Sequence, residues 1–200
     1  MKIGILALQG TFMEHIASLN RLGVEPVSIR QPEDLRGVSG IIIPGGESTT
    51  ITHLMHYYRL SEPLKEMAES GVPFLGTCAG MICMAREAGG SSPPVTLEIM
   101  DIKVRRNAFG RQLSSFEERL EVPVLGKGPF PGLFIRAPVI ESTGEGASII
   151  ARLPGGAAVA AMQGSLLATA FHPELMEDLR LHRFFLDLCS GYIKRFGGIV

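Results

Sequence analysis

The first 90 residues alternate between short apolar runs and amphipathic segments, and this alternation constrains the fold more than any other feature. The apolar runs have the length of buried strands, and the segments between them carry apolar side chains at helical spacing. The predicted strands are residues 3–8, 24–29, 41–43 and 72–75, and the predicted helices are residues 11–22, 50–58, 62–70 and 79–88. Strands that alternate with helices predict a mostly parallel sheet covered by helices on both faces.

The second half of the chain contains short β-rich runs separated by glycine and proline, and it closes with a predicted helix at residues 179–193. We expect antiparallel strands that extend the same sheet, which gives an α/β fold of three α/β/α layers. The predicted runs are residues 97–104, 120–124, 133–136, 148–151, 157–163 and 166–170. Residues 89–94 are the clearest loop candidate, but nothing there reads as a linker, so we predict one domain over residues 1–200.

Net charge and cysteine content exclude several classes of protein. The formal net charge is -1, so no nucleic acid is expected as a partner. The chain has 3 cysteines without a C-x-x-C pair, which argues against a disulfide framework or a metal site and favours a reducing compartment. The first apolar run is too short for a signal peptide, and no stretch approaches the ~20 apolar residues of a membrane span. We therefore predict a cytoplasmic protein that does not enter a membrane.

Gly76-Thr77-Cys78-Ala79-Gly80 lies where a predicted strand ends and a predicted helix begins. A sharp strand–turn–helix elbow needs small flanking residues and presents its central side chain at the carboxyl edge of the sheet. The N-terminus of the following helix favours a thiolate and can stabilise an oxyanion. Cys78 is therefore a candidate nucleophile, although the five residues alone also fit a buried structural cysteine, as we expect for Cys83 and Cys189.

Phe171-His172-Pro173-Glu174 follows the last apolar run. In an extended segment, residues two apart point the same way, so His172 and Glu174 are expected side by side. A carboxylate that holds one imidazole nitrogen leaves the other nitrogen to take a thiol proton. This pattern predicts a base and its orienting residue. The remaining histidines fall on predicted helices and are interpreted as packing or surface residues: His15, His53, His56 and His182.

A glycine pair follows the third predicted strand in Pro44-Gly45-Gly46-Glu47-Ser48-Thr49-Thr50. Such a pair lets backbone N–H groups approach a ligand closely, and an N–H at Gly46 together with that of Ala79 would form an oxyanion hole. A phosphate loop does not fit, because the lysine is missing and the spacing differs. A plain turn with a helix cap from Ser48 or Thr49 is the alternative.

Together these motifs resemble those of class I, triad-type glutamine amidotransferases. Further motifs resemble the family of glutaminase subunits of pyridoxal 5'-phosphate synthase, in the same order and over nearly the whole chain. These motifs are residues 8–10, 45–50, 106–112, 134–138 and 172–175, which read LQG, GGESTT, RNAFGRQ, FIRAP and HPEL. The resemblance implies a flavodoxin-like, class I amidotransferase-like fold. The chain departs from the family at residues 96–101, where a Gly-Leu pair and an Asn are usual, and in the extra Arg105.

The resemblance also implies roles for individual residues. Cys78 would attack the side-chain amide of L-glutamine, His172 would act as base and then acid, and Glu174 would orient His172. The positions that match the glutamine-binding residues of the family are Gly46, Glu47, Ser48, Arg106, Ile135 and Arg136, and Gln9 matches a position near the oxyanion hole and the partner interface. Arg106 or Arg136 can pair with the carboxylate of glutamine, and Glu47 can pair with its ammonium group.

The implied partner is a separate synthase subunit, a (β/α)8 barrel that receives the ammonia and builds pyridoxal 5'-phosphate from a pentose phosphate and a triose phosphate. No cofactor or metal ion is expected in this chain. Two alternatives stay open from the sequence. The chain could serve a different synthase, or it could be a non-hydrolytic elbow-cysteine protein of flavodoxin-like fold. The paired histidine and glutamate argue against the second alternative, because a non-hydrolytic protein such as a redox sensor does not need a base and its orienting carboxylate.

Overall fold

The computed structural model describes residues 1–90, 93–109 and 115–196. Within those ranges the chain forms a large central sheet, a two-stranded sheet and helices that cover them. Strands β1 to β12 are Lys2–Leu6, Glu25–Ile29, Ile41–Ile43, Phe74–Thr77, Ala85–Gly89, Met100–Arg105, Ser115–Leu120, Phe130–Ile135, Val139–Thr143, Ala147–Arg152, Ala158–Gln163 and Leu166–Thr169. Helices α1 to α5 are Phe12–Arg21, Ser48–Tyr57, Ser61–Glu69, Ala79–Met84 and Arg180–Phe196.

The parallel part of the central sheet has the strand order β2-β1-β3-β4-β12. Its central strands are apolar and buried on both faces, and every residue of Ile41–Ile43 is fully buried. The loops after β1, β3, β4 and β12 meet at one edge, because the strands run the same way. The α/β class with a mostly parallel sheet and an antiparallel extension is confirmed.

The antiparallel extension continues from β12 through β11, β9 and β6, with β10 also paired to β11. The prediction that the runs of the second half are antiparallel is right for these neighbours. It is incomplete for β12 and β6, because each of these strands also has a parallel neighbour, β4 and β5 respectively. The strand that carries the second half of the site therefore lies inside the parallel part of the sheet.

The predicted helix over residues 79–88 is wrong beyond Met84. Ala85 already has extended backbone (φ -61, ψ 148), and residues Ala85–Gly89 form β5. The amide of Leu97 donates to the carbonyl of Cys83 over 2.8 Å, which satisfies a group at the end of α4. Over residues 85–89, backbone hydrogen bonds to β6 take the place of the helical hydrogen bonds that the sequence had predicted.

The predicted strand over residues 120–124 is also wrong. Strand β7 ends at Leu120, and Pro123–Leu125 forms a 3₁₀ turn. Proline has no N–H to donate to a ladder, and it is favoured in the first turn of a helix. The sequence prediction missed β9, which lies between β6 and β11. In the described residues, no helix has the length and apolar character needed to span a membrane.

Candidate active site

A pocket of about 410 Å³ opens where the carboxyl ends of the parallel strands meet. It contains the thiol and imidazole predicted from the sequence, and Glu174 lies buried behind the imidazole. The predicted site residues that line it are Gln9, Gly46, Glu47, Ser48, Cys78, Ala79, Arg106, Ile135, Arg136 and His172. The structure therefore brings together segments that lie far apart in the sequence.

Cys78 occupies a strained turn between β4 and α4. Its backbone has φ 50 and ψ -102, a combination that a residue with a Cβ adopts only under constraint. The amide of Cys78 donates to the carbonyl of Thr169 on β12 over 2.7 Å, which anchors the turn to the sheet. The Sγ atom lies 3.8 Å from the carbonyl oxygen of Ile135 and is only slightly exposed. The predicted elbow thus has the predicted geometry.

The glycines on either side of this turn are needed for close packing. A Cβ on Gly80 would overlap the backbone carbonyl of Ile43 on β3. A Cβ on Gly76 would lie 2.6 Å from Sδ of Met84 and 2.7 Å from the backbone of Gly80. Neither backbone can move without disturbing the central sheet, so the small residues set how close α4 lies to the strands.

His172 and Glu174 are in direct contact. The Nδ1 atom of His172 is 2.7 Å from Oε1 of Glu174, and the amide of His172 donates to the carbonyl of Leu133 over 2.9 Å. The prediction that an extended backbone aligns the pair is wrong, because Pro173–Leu175 forms a 3₁₀ turn that begins directly after His172. The turn, and not strand alternation, brings the carboxylate back to the imidazole.

Burial and charge act against each other at this pair. Burial alone lowers the pKa of His172, but hydrogen bonds to Cys78 and Glu174 and the negative charges of those two groups raise it to about 10. Burial alone raises the pKa of Glu174, but His15, His172 and the hydroxyl of Thr11 lower it to about 2. The arrangement therefore favours an imidazolium held by a carboxylate.

We expect Glu174→Gln to change how stability depends on pH. The pKa of Glu174 in the folded chain lies below its ordinary value of 4.5, so its ionised form stabilises the fold above that pH. This contribution, on the order of 3 kcal/mol, is lost as the pH falls from 4.5 towards 2. Denaturant unfolding between pH 2 and 7 should show wild type losing stability more steeply on acidification than Glu174→Gln.

The control for this measurement is Glu62→Gln, which changes an exposed carboxylate on α3. Its unfolding free energy should follow that of wild type across the same pH range. Parallel curves for wild type and Glu174→Gln would show that Glu174 does not titrate abnormally.

Gly45 leaves room for the imidazole. A Cβ on Gly45 would overlap the ring of His172, and its carbonyl accepts a hydrogen bond from the amide of Thr11 over 3.0 Å. The sequence suggested only that the glycine pair lets backbone approach a ligand. In the structure the first glycine of the pair makes space for a side chain, and a Cβ on the second, Gly46, would overlap the side-chain oxygen of Gln9.

Gln9 and Glu47 organise the loop after β3. The Oε1 atom of Gln9 accepts from the amide of Glu47 over 2.8 Å. The carboxylate of Glu47 caps α2 by accepting from the amides of Thr49 and Thr50 over 3.1 and 2.7 Å. The predicted cap of α2 by Ser48 or Thr49 is therefore replaced by a cap from Glu47, and Ser48 is the first residue of the helix.

Arg106 and Arg105 point to different surroundings. The guanidinium of Arg106 lies 3.5 Å from Oε1 of Glu47 and 3.4 Å from the hydroxyl of Thr49. Arg105, at the end of β6, pairs instead with Glu141 on β9 over 3.1 Å. The structure therefore places Arg106, and not Arg105, at the pocket. The final part of this motif, residues 110–112, lies outside the described residues, as do residues 91 and 92 of the predicted loop.

The segment after β8 forms the opposite wall. Ile135 directs its carbonyl towards Cys78, and Arg136 is exposed with φ 45. A positive φ at an arginine is unusual, and it turns the chain sharply at the pocket rim. Both residues of this predicted pair line the pocket.

The sequence analysis did not predict the buried polar side chains behind Glu174. His15 and His182 are fully buried, and Thr11 donates to Oε1 of Glu174 over 2.7 Å. The interpretation of these two histidines as packing or surface residues is therefore incomplete. The burial of His15 could have been predicted from helical spacing, because His15 lies between Phe12 and Leu19 on the apolar face of α1.

Comparisons with known proteins agree with this geometry. A family model described as the SNO glutamine amidotransferase family matches residues 5–191. The pyridoxal 5'-phosphate synthase subunit PdxT of a Dehalococcoides mccartyi strain is 55% identical over 193 residues, which are 96% of this chain and 99% of that protein. The protein of the same name from Pelotomaculum thermopropionicum is 54% identical over 189 residues, 94% of this chain and 95% of that protein. A crystal structure of a glutamine amidotransferase has a TM-score of 0.89 at 49% identity, covering 94% of this chain and 98% of that one.

Proposed function

This chain belongs to the SNO glutamine amidotransferase family, and we propose that it hydrolyses L-glutamine to glutamate and ammonia with Cys78 as the nucleophile. Relatives more than half identical over nearly their whole length are subunits of pyridoxal 5'-phosphate synthase, so the chain is the glutaminase subunit of that enzyme. The observation that carries the proposal is a strained thiol and an imidazole that line one pocket, with a buried carboxylate 2.7 Å behind the imidazole.

The chemistry balances with these groups alone. The thiolate of Cys78 attacks the side-chain carbonyl carbon of glutamine, and His172 donates a proton to the departing ammonia. A glutamyl thioester remains on Cys78. Water then gives a proton to His172 and attacks the thioester carbon, which releases glutamate and restores the starting groups. Glu174 holds Nδ1 of His172 throughout, so that Nε2 is the atom that exchanges protons.

Backbone N–H groups would stabilise the oxyanion. We assign them to Gly46 and Ala79, which line the pocket beside Cys78. Ala79 is the first residue of α4, where a helix has unpaired N–H groups. Gln9 holds the amide of Glu47 next to Gly46, so it positions the loop that supplies the second donor.

The charges of the pocket fit the zwitterionic end of free glutamine. The contact between Arg106 and Glu47 is long, at 3.5 Å, and the Glu47 side chain is half exposed, so this ion pair contributes little to stability. A bound amino acid can replace it, with its carboxylate on Arg106 and its ammonium group on Glu47. Arg136 at the rim is the second candidate for the carboxylate, and Ser48 and Ile135 supply polar groups beside it.

The ammonia would pass to the synthase subunit. We propose that this partner is a (β/α)8 barrel that makes pyridoxal 5'-phosphate from a pentose phosphate and a triose phosphate. A cytoplasmic location fits the cysteines, because all 3 are free and buried. A single domain over residues 1–200 is supported by one hydrophobic core that includes residues from β1 to α5.

We expect glutamine hydrolysis to depend on the partner. Ammonia release would be measured with the purified chain alone and with the barrel synthase subunit, at saturating glutamine. Stimulation by the barrel subunit is the expected result, since the reaction is useful only where its ammonia is consumed. Absence of glutamine-dependent ammonia even with that subunit would contradict the proposal.

The same experiment separates the two alternatives. If a different synthase stimulates hydrolysis and the barrel subunit does not, the chain serves another pathway. If no synthase stimulates it and an electrophilic glutamine analogue fails to label Cys78, the elbow cysteine has a non-hydrolytic role.

A further inference from the structure

A polar chain continues inward from the proposed triad. The Nε2 atom of His15 on α1 lies 3.5 Å from Oε2 of Glu174 and 3.2 Å from the hydroxyl of Thr77, the residue before Cys78. The Nδ1 atom of His15 lies 3.1 Å from Nε2 of His182 on α5. His15, Thr77 and His182 are all fully buried, and none of the three lines the pocket.

The two oxygens of Glu174 are used differently. Oε1 accepts from Thr11 and faces His172, each at 2.7 Å. Oε2 has no hydrogen bond of ordinary length among the described residues, and the imidazole of His15 is the polar group beside it. A buried carboxylate oxygen without a donor is costly, so the identity of the facing group matters.

Burial favours the neutral form of both histidines. Burial lowers the pKa of His15 despite the opposing effect of Glu174, and burial lowers the pKa of His182 to about 3. A neutral imidazole has one N–H and one acceptor nitrogen, so each ring has two tautomers. The neighbours decide between them.

One arrangement satisfies the carboxylate. If His15 carries its proton on Nε2, that N–H faces Oε2 of Glu174, and Nδ1 accepts from Nε2–H of His182. The lone pair on Nδ1 of His182 is then the group left without a partner among the described residues. In the opposite arrangement Nε2 of His15 can accept from the hydroxyl of Thr77, but its lone pair also faces Oε2 of Glu174, which stays without a donor, and a buried N–H of His182 is left unpaired.

We propose that His15 is a positioning residue of the glutaminase, which holds Oε2 of Glu174 through its Nε2–H while His182 sets the tautomer of His15. The inference rests on the proposed function, because it assigns His15 a role through Glu174 and His172. A neutral donor suits this place. It stabilises the carboxylate without adding a positive charge that would compete with the imidazolium of His172.

The test compares His15→Leu and His15→Gln with wild type, each assayed with the synthase subunit over a range of pH. In His15→Leu, Glu174 is held less firmly and supports the imidazolium of His172 less. We expect kcat to fall on the order of tenfold, as when outer partners of a reactive imidazole are removed, with KM for glutamine unchanged. The basic limb of the pH profile of kcat should move to lower pH.

The amide nitrogen of glutamine can occupy the place of Nε2, so His15→Gln should recover most of kcat and the wild-type basic limb. Leu19→Ala is the matched control, because Leu19 is a fully buried residue of the same helix whose side chain has no group that could donate to Glu174. It should lower Tm without moving the pH profile. A wild-type profile and kcat in His15→Leu would overturn the inference.

A second measurement requires neither glutaminase activity nor a folded variant, because it uses the wild-type chain. The ¹⁵N shifts of the imidazole rings in the unaltered chain report which nitrogen carries the proton. We expect Nε2–H on both His15 and His182 at neutral pH, and a proton on Nδ1 of His15 would overturn the inference. If the wild-type chain releases no ammonia with the synthase, the proposed function fails, whereas these shifts still decide the tautomers.

Discussion

Replacing Cys78 by serine should abolish ammonia release from glutamine, with kcat falling on the order of 10⁴-fold or more, while the chain remains folded. The hydroxyl occupies the same place but is a much weaker nucleophile than a thiolate, and His172 cannot compensate for that difference. The fold should persist because the contact of Sγ with Ile135 is long, at 3.8 Å, and the strained backbone at this position is the same for serine.

The measurement is ammonia release with the synthase subunit present, together with Tm for each variant. Cys83→Ala is the matched control, because Cys83 lies five positions further along and is fully buried in α4. Burial raises the pKa of the Cys83 thiol, so it is inert, and its removal should leave kcat near that of wild type. Wild-type activity in Cys78→Ser would rule out Cys78 as the nucleophile.

Gly45→Ala should remove most of the activity through a single methyl group, with kcat reduced on the order of 100-fold. The added Cβ would overlap the imidazole of His172, and a side chain can move aside more easily than the backbone around it. His172 would then leave its contact with Cys78 and Glu174, while the fold is kept. A crystal structure of the variant should show a displaced imidazole, and Tm should fall moderately, because the buried Glu174 loses its contact with His172.

Gly155→Ala is the control that tells whether the fall in kcat arises from the contact with His172 or from replacing any glycine by alanine. Gly155 is exposed in a turn, and a Cβ there would meet no atom within 4 Å. Neither glycine requires a left-handed backbone, so the two substitutions differ mainly in what the methyl group touches. Equal kcat in wild type and Gly45→Ala would show that the imidazole tolerates the methyl group.

Much of the site was predictable because its local signals are strong. A strand, a small-residue turn and a helix around Cys78 predict where the thiol lies before any contact is known. The other loops follow from the same rule, because parallel strands bring their carboxyl ends to one edge. These signals depend on short stretches of chain and locate Cys78, Ala79 and Gly46, whereas Gln9, Arg106, Ile135 and Arg136 were assigned from the resemblance of their motifs to the family.

The features that escaped prediction depend on contacts between distant segments. Ala85, Arg86, Glu87 and Ala88 are residue types that favour a helix, and only pairing with β6 turns this segment into a strand. The orientation of β12 is likewise set by its neighbour β4, since an apolar run carries no direction. The buried imidazole of His15 needed the positions of α1 and α5 relative to Glu174, which no local pattern contains.

The pairing of β12 with β4 also bears on how the protein is made. Leu166 lies opposite Phe74 in this parallel pair, so the strand that leads to the base is synthesised long after the elbow that holds the thiol. A chain still emerging from the ribosome therefore contains Cys78 before it contains any partner able to activate it. Such late, non-local pairing is slow to form. Only a chain synthesised through β12 and the turn that follows it therefore combines the nucleophile with its base.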